Sequence, residues 1–373
     1  MLRFLTAGES HGKALSVIID GFPAGVKIDI ARIDSELSRR QVGYGRGGRM
    51  KIEKDKAEVI SGINKGLTFG APISILIKNK DFSIDRMPAI DSPRPGHADL
   101  AGGMKYGLKD FRPILERASA RETAARVVVG ALAKQFLDNF NISIFSHVVQ
   151  IGDVGVTKKI NMDSIQRLAG RSKLRCVDSK VELEMIRLID KARKEKDSLG
   201  GVFEVIAKGI PTGLGSYVQW DLRLDAQIAS GILSIPAVKA VEVGDGIRNA
   251  SLFGSEVQDE IIFSKGKGYN RTTNRAGGLE GGITNGEPLV VRGHMKPIAT
   301  LSKPLNSVNI RTRKETKAFK ERADVCAVPA AGVIGESMIS FIIMRSFLDK
   351  FSSDNLSDIK SNFKSYQKRL KIF

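Results

Sequence analysis

The feature that most restricts the fold is a long apolar segment, VPAAGVIGESMISFIIMRSFLDKF, at residues 328–351. It opens with a proline, which suits the first turn of a helix because no amide hydrogen is needed there. Its most apolar part, residues 337–344, lies between Glu336 and Arg345 and falls short of the roughly 18 apolar residues of a membrane helix. The segment therefore predicts a long helix buried in a protein core.

The rest of the sequence mixes strand-like and helix-like patterns without a regular alternation of the two. Strand-like runs occupy 2–5, 15–21, 56–63, 72–79, 141–156 and 201–211. Helical spacing is found at 29–40 and 116–140, and again from 224 until Pro236 ends it before a further strand. The absence of a βαβ rhythm favours an α+β fold with largely antiparallel sheets.

Charge indicates the class of partner. The 373 residues include 59 lysines and arginines against 41 acidic residues, a net charge of +18. Such an excess predicts polyanionic partners, which include nucleic acid, anionic membrane and phosphorylated small molecules. Aromatic residues make up only 6% of the chain, few for a protein that stacks bases.

Cysteine and histidine spacing argues against a disulfide framework or a metal cluster. Cys176 and Cys326 are the two cysteines, and no two of the four histidines fall within four residues of each other. A reducing cytosol is the simplest compartment for such a chain, and the first residues lack a signal-peptide core. We expect no metal and a cytoplasmic location.

The stretch RRQVGYGRGGRMK at 39–51 combines five cations with four glycines. A dinucleotide-binding loop is disfavoured because a helix precedes it and a strand follows. A nucleic-acid segment lacks aromatics beyond Tyr44, and a plain basic surface loop stays open. An anion cup fits best, since glycines let amides approach an anion and arginines bind phosphate or carboxylate in a bidentate way.

Two glycine-flanked histidines lie on predicted loops. His11 is in GESHG at 8–12, and His97 follows the Pro95-Gly96 turn signal in RPGHAD at 94–99. A lone histidine is more often structural than catalytic. Two in such settings are candidates for proton transfer, because histidine titrates near neutral pH.

Three further stretches combine charge with glycine or a helix start. ERASARET at 116–123 predicts a helix opening with Arg117 and Arg121 on one face, either an anion site or a solvated face paired with Glu116. RADVCAVPAAG at 322–332 holds Arg322 beside Asp324, either an ion pair or an acid–base group near an anion. NRAGGLEGGITNG at 274–286 suggests close backbone contact with a ligand.

These stretches, in this order, resemble the chorismate synthase family. DSLGG (197–201), IPAVKAVEVGDG (235–246) and MKPIATLSKPL (295–305) add to the likeness, which spans roughly residues 1–345. The resemblance implies a β-α-β sandwich with helices between antiparallel sheets. It also implies a single catalytic domain over 1–351, and we expect 352–373 to be a basic, partly disordered tail.

The resemblance implies a lyase that removes phosphate from 5-enolpyruvylshikimate 3-phosphate by anti-1,4-elimination, giving chorismate for aromatic amino acid biosynthesis. The cofactor implied is reduced FMN, with NADPH only as a source of reducing equivalents. A homotetramer and an external flavin reductase are the implied partners. Two alternative hypotheses remain: a nucleic-acid-binding protein and an NAD(P)H-dependent flavin reductase.

The resemblance also assigns roles to single residues. His11 would protonate the departing phosphate, His97 would stabilise the reduced flavin, and Asp324 would deprotonate flavin N5. The substrate-binding residues implied are Ser10, Arg40, Arg46, Arg49, Arg94, Arg121 and Arg322. The FMN-binding residues implied are Arg117, Ala118, Ser119, Ala120, Ser230, Gly231, Gly281, Lys296, Pro297, Ile298, Ala299, Thr300 and Arg322. Ala118 and Ala323 depart from the residues commoner in the family.

Overall fold

The computed structural model describes residues 1–47, 54–158, 160–266, 268–321 and 323–373. Its strands are β1 Arg3–Ala7, β2 Ala14–Asp20, β3 Glu58–Ser61, β4 Ile63–Asn64, β5 Leu67–Thr68, β6 Ile73–Lys78, β7 Ser143–Ile151, β8 Val154–Gly155, β9 Gly201–Lys208, β10 Val238–Val243, β11 Ile261–Ser264, β12 Gly268–Arg271, β13 Leu279–Glu280, β14 Ile283–Thr284, β15 Leu289–Met295, β16 Asn306–Val308 and β17 Glu315–Lys317. Its α-helices are α1 Ile30–Gln41, α2 Asp99–Tyr106, α3 Arg112–Arg117, α4 Thr123–Leu137, α5 Met162–Arg171, α6 Ser179–Glu195, α7 Leu224–Leu233, α8 Gly254–Val257, α9 Val328–Lys350 and α10 Leu356–Ile372.

Two antiparallel sheets form the outer layers. One has the strand order β1-β2-β6-β3 and the other β10-β15-β9-β7-β8. Alternate residues along β2 face opposite ways, as a strand requires. Val17 is 1% exposed on the inner side, whereas the adjacent Ile18 is 48% exposed.

Helices α4 and α9 fill the space between the sheets. Helix α4 packs on β2, α9 packs on β7 and β9, and the two helices pack on each other. They cross closely because Gly130 has no side chain, and a Cβ there would lie 2.3 Å from Ser337 Cα. The expected sandwich of helices between antiparallel sheets is therefore confirmed.

Helix α9 is buried along most of its length, as the sequence predicts. Within the described residues it is the helix long and apolar enough to span a membrane, yet 89% of its most apolar 18 residues are buried inside the fold. Its neighbours include α1, α4, α7 and the strands β7, β9 and β15 of the larger sheet. Burial on all sides explains why the helix carries almost no polar stripe.

The long helix expected over 116–140 is interrupted. Helix α3 ends at Arg117, Ser119 has extended backbone angles (φ −64°, ψ 141°), and its hydroxyl accepts a hydrogen bond from the amide of Arg121. Serine is a good N-cap, so it starts a new helical turn instead of continuing the old one. Arg117 and Arg121 consequently do not share one helical face.

Residues 352–373, expected to be a partly disordered basic tail, contain the ordered helix α10. Asn355 caps its start by accepting from the amide of Asp358, and Leu356, Ile359 and Phe363 are buried. The ring of Phe363 lies 5.3 Å from that of Phe347 on α9. An apolar stripe docks this helix, while its lysines stay on the outer side.

Candidate active site

His11 lies on the turn between β1 and β2 and is 7% exposed. Its Nδ1 lies 2.9 and 3.1 Å from the two carboxylate oxygens of Glu116, and its backbone amide donates to the same carboxylate at 2.8 Å. Burial alone would raise the pKa of Glu116, but the hydrogen bonds and charge of His11 lower it. The opposite nitrogen, Nε2, lies 3.9 Å from Asp81 Oδ2.

Arg40 and Arg121 meet at one buried carboxylate. Asp55 accepts from Arg40 Nη2 at 2.8 Å and from Arg121 Nη1 at 2.6 and 2.7 Å. Burial lowers the pKa of Arg40 to about 10, and the nearby charges of Arg121 and Arg46 act in the same direction, against Asp55. Two guanidinium groups thus share one buried carboxylate.

Asn79 joins this arginine pair to the His11 turn. Its side-chain oxygen accepts from Arg121 Nε at 3.0 Å, and its amide donates to the backbone oxygens of Ser10 and Gly12 at 3.2 and 2.7 Å. The Ser10 hydroxyl in turn accepts from Ser119 at 3.2 Å. One hydrogen-bond network thus holds the serine, histidine and arginine candidates together.

Arg46 and Asp324 form a second pair in the glycine-rich stretch. Arg46 Nη1 lies 2.5 Å from Asp324 Oδ2, and the amide of Gly47 donates to Oδ1 at 2.6 Å. A Cβ on Gly47 would lie 3.0 Å from the carbonyl oxygen of Ala323, so the two loops meet backbone to backbone. Both an ion pair and a proton-transfer group remain compatible with this geometry.

His97 is held by a buried carboxylate as well. Asp99 accepts from His97 Nδ1 at 2.5 Å and from Arg94 Nε at 2.9 Å. Burial opposes ionisation of Asp99, but His97 and Arg94 more than offset it and lower its pKa well below the usual range. Arg94 also donates to Thr300 Oγ1 at 2.7 Å.

The 296–300 segment packs against the His97 turn. Lys296 donates from Nζ to the carbonyl oxygen of Gly96 at 2.9 Å, and a Cβ on Gly96 would lie 3.8 Å from that of Ala299. The Ile298 oxygen accepts from Ser198 at 2.9 Å, and Pro297 packs beside Gly200. This stretch follows β15 as an irregular loop with accessible polar groups.

The 117–120 segment borders the His11 turn on its outer side. Arg117 is exposed and donates to the backbone oxygens of Thr6 and Gly8 at 2.9 and 3.2 Å. Ala118 ends α3, and Ala120 lies exposed after the Ser119 cap. These residues therefore join the candidate site in space.

The contacts described for Gly231 and Gly281 are with residues outside the groups above, and Ser230 precedes Gly231 in the same helix. Ser230 and Gly231 belong to α7, as the helical spacing from 224 predicts, and a Cβ on Gly231 would lie 2.4 Å from Ile342. Gly281 lies in the turn between β13 and β14, next to Tyr217. Gly231 is thus a close packing position between α7 and α9.

Two candidates, Arg49 and Arg322, lie outside the described residues. Sequence reasoning missed Asp55 and Asn79, which are distant along the chain from their partners, and it saw Glu116 only as a partner for arginines. Acidic and basic residues alternate over residues 53–56, which is typical of an exposed segment, so the sequence did not predict that the carboxylate of Asp55 would be buried.

One further grouping resembles a metal site. Nitrogen and oxygen atoms of His11, Glu116 and Glu321 lie within 4.8 Å of one another. Arg112 lies 3.4 Å from Glu116, and Arg94 lies 3.9 Å from Glu321, so nearby cations oppose a bound metal ion. The expectation of no metal stays a prediction.

Chemically, the site combines buried guanidinium groups with two carboxylate-held histidines. Such a set can bind a multiply charged anion in a poorly solvated pocket and move protons beside it. Part of the basic excess of the chain is thus concentrated around these residues.

Comparison with known proteins gives one consistent result. The family model for chorismate synthase matches residues 2–348. The chorismate synthase of Alkaliphilus metalliredigens is 52% identical, with 98% of this chain and 99% of that protein covered, and that of Streptococcus mutans is 49% identical with both chains fully covered.

A solved structure agrees with these relatives. A chorismate synthase crystal structure superposes with a TM-score of 0.83 at 43% identity, covering 100% of this chain and 99% of the other. The resemblance seen in the sequence is therefore confirmed. The chain belongs to the chorismate synthase family, whose members are lyases acting on a phosphate ester.

Proposed function

We propose that this protein eliminates phosphate from 5-enolpyruvylshikimate 3-phosphate in an anti-1,4 sense, giving chorismate and depending on reduced FMN. The observation that carries the proposal is the network through Asn79, which ties the His11 turn to the Arg121–Asp55–Arg40 cluster. It sets a proton donor beside a cation-rich pocket. Elimination of phosphate needs both, because the leaving group is anionic and gains a proton.

Substrate recognition would rest on the arginines. The substrate carries two carboxylates and a phosphate, and Arg40, Arg46, Arg94 and Arg121 offer planar forks that match such groups. Arg40 is suited to a new anion because it is buried and shares the carboxylate of Asp55 with Arg121. Ser10 would add a hydroxyl, and Arg49 and Arg322 are proposed here on the family resemblance alone.

Proton movement would fall to His11 and Asp324. His11 would give the proton on Nε2 to a phosphate oxygen as the carbon–oxygen bond breaks. Asp324 would hold or pass a proton at its carboxylate, which hydrogen bonds from Arg46 and the Gly47 amide keep in position. His97, fixed by Asp99, would place positive charge beside the cofactor ring.

The residues also fit an anionic flavin. Lys296 and Arg117 offer exposed cations for a phosphate, with the Ser119 and Thr300 hydroxyls nearby in their respective loops. Ala118, Ala120 and Pro297 to Ala299 would line the ring. Ser230, Gly231 and Gly281 are proposed on the family resemblance alone. Reduced FMN would supply an electron transiently in a reaction that is redox-neutral overall.

The proposal includes a cytoplasmic homotetramer served by an external flavin reductase. NADPH would act only as a source of reducing equivalents. This part rests on the family resemblance and is separable from the chemistry of the site.

The test is an anaerobic assay of purified protein with chemically reduced FMN and 5-enolpyruvylshikimate 3-phosphate, following chorismate by ultraviolet absorbance. Chorismate should form with reduced flavin and not with oxidised FMN. Oxidised FMN with NADPH should give no product unless a reductase is added. Folded protein that makes no chorismate with reduced FMN would overturn the proposal.

A further inference from the structure

The His11–Glu116 pair is built into the backbone as well as the side chains. Glu116 has a fully buried side chain, and its carboxylate receives both the Nδ1 side of the ring and the backbone amide of His11. The backbone oxygen of Glu116 also accepts from the amide of Ser10 at 3.1 Å. A single residue at the end of α3 therefore fixes the orientation of the His11 turn and of its ring.

This geometry restricts the protonation states of the ring. The pKa of Glu116 is lowered, so the carboxylate is ionised near neutral pH and offers only acceptors. A hydrogen bond to it requires a proton on Nδ1. In neutral His11 the Nε2 atom is therefore unprotonated. A proton that Nε2 can donate exists only in the doubly protonated imidazolium.

We propose that Glu116 is a positioning residue that fixes the Nδ1–H form of His11 and stabilises its imidazolium, so that Nε2–H faces the departing phosphate. The inference rests on the proposed function, because it gives Glu116 a role through the acid that function assigns to His11. Glu116 touches neither substrate nor cofactor in this account.

The proton transfer balances simply. The imidazolium gives its Nε2 proton to a phosphate oxygen, which has received the electron pair of the breaking carbon–oxygen bond. His11 then becomes neutral. Its Nδ1 keeps the proton that it donates in a hydrogen bond to the Glu116 carboxylate, and Nε2 is reprotonated from solvent. Glu116 stays ionised throughout, as the supporting carboxylate of a catalytic dyad does.

The chain contains a matched pair outside the site. His147 Nε2 lies 2.9 Å from Glu204 Oε1, and both residues are buried on strands β7 and β9 of the larger sheet. Burial opposes ionisation of Glu204, but His147 and Arg292 lower its pKa, as His11 does for Glu116. Glu204→Gln therefore reproduces the loss of a buried carboxylate–histidine charge pair without touching the candidate site.

The kinetic test compares wild type, Glu116→Gln, Glu116→Asp and Glu204→Gln under the anaerobic assay. We expect Glu116→Gln to lower kcat by about 10²-fold with KM and FMN affinity unchanged, since the substrate contacts remain. Glu116→Asp should recover part of kcat because it restores the charge, and Glu204→Gln should keep the wild-type kcat. A wild-type kcat in folded Glu116→Gln would overturn the inference.

A spectroscopic test reads the ring directly. The chain has only four histidines, so solid-state nitrogen-15 NMR of histidine-labelled protein can follow each ring, with the His11 signals identified by their loss in His11→Ala. Neutral His11 should carry its proton on Nδ1 in wild type and show the Nε2–H form in Glu116→Gln. Unchanged His11 signals would overturn the inference.

The two failures are distinguishable. Wild-type protein that makes no chorismate would refute the proposed function itself. Active wild type with equally active Glu116→Gln would refute only the role of Glu116.

Discussion

Two neighbouring arginines at the end of α1 belong to opposite electrostatic environments. Arg39 donates to Glu336 and Glu36, whereas Arg40 meets Asp55 alongside a second arginine. Burial would lower the pKa of Arg39, but the two glutamates outweigh it and raise that pKa; burial and like charges lower the pKa of Arg40. Arg39 thus belongs to a closed cluster with two glutamates, whereas Arg40 shares one carboxylate with Arg121 at the proposed anion site.

The closed cluster is centred on Glu336 of α9. Its fully buried carboxylate accepts from Arg39, Lys134, Arg175 and the Ser146 hydroxyl at 2.5 to 2.9 Å. These partners come from two helices, a strand and a loop, so the carboxylate joins four parts of the sandwich. The difference predicts that the Glu336 cluster serves stability, whereas the arginines at Asp55 serve the proposed binding of an anion.

The largest expected effect comes from breaking the closed cluster. Glu336→Gln leaves buried cations without their shared anion, and we expect the free energy of unfolding to fall by about 3–5 kcal/mol. Urea denaturation followed by circular dichroism measures it. Glu36→Gln, at the half-buried edge of the same cluster, is the matched control and should lose much less; equal losses would show that burial does not distinguish the two glutamates.

The next effect separates the two arginines. Arg40→Met should raise KM for the substrate about 10²-fold, the value of a lost charge-assisted hydrogen bond, with a small loss of stability. Arg39→Met should do the reverse, lowering the urea midpoint while KM stays near that of wild type. Steady-state kinetics and denaturation of both variants check the crossed pattern, and parallel behaviour of the two would break the comparison.

Acid should weaken the closed cluster. The folded-state pKa of Glu336 is lowered from its usual 4.5, so its contribution to stability is complete above that pH and is lost as pH falls below it. One such group changes stability by about 1.4 kcal/mol per pH unit. The free energy of unfolding, measured at several pH values between neutral and acidic, should therefore change less with pH in Glu336→Gln than in wild type. An identical pH dependence in the two proteins would contradict the assignment.

The smallest effect concerns the proposed anion site at Arg40 and Arg121. Inorganic phosphate at several times its Kd should stabilise the wild type by about 1 kcal/mol, because an anion bound only by the folded protein shifts the unfolding equilibrium. Chloride at the same ionic strength is the control. Thermal melts should show the gain in Glu336→Gln and lose it in Arg40→Met; a gain retained in Arg40→Met would place the anion elsewhere.

The comparison also shows what the sequence can predict. Periodicity and glycine placement predicted α9, the main strands, an α+β fold and the loops of His11 and His97, because these depend on local pattern. The layered sandwich was implied only by the family resemblance. Asp55 was missed because its partners, Arg40 and Arg121, lie 15 and 66 positions away along the chain. The same limit applies to Glu336, which the sequence presents only as a charge beside an apolar run.

Two helical regions needed the tertiary structure. The Ser119 break in 116–140 depends on a single side-chain cap, which competes with a continuous Ala-rich helix. Helix α10 is lysine-rich, and its docking depends on a few apolar residues that meet α9. In both regions composition suggested one answer and a small number of specific contacts decided another.

The position of α9 in chain order has a consequence for synthesis. The central helix of the sandwich, α9, follows both large sheets and α4 in the sequence. The ribosome therefore makes the two sheets before it makes the helix that packs between them. Until residue 350 emerges, the inner faces of β7 and β9 lack their main apolar cover. The growing chain therefore keeps these apolar faces uncovered until α9 has been translated.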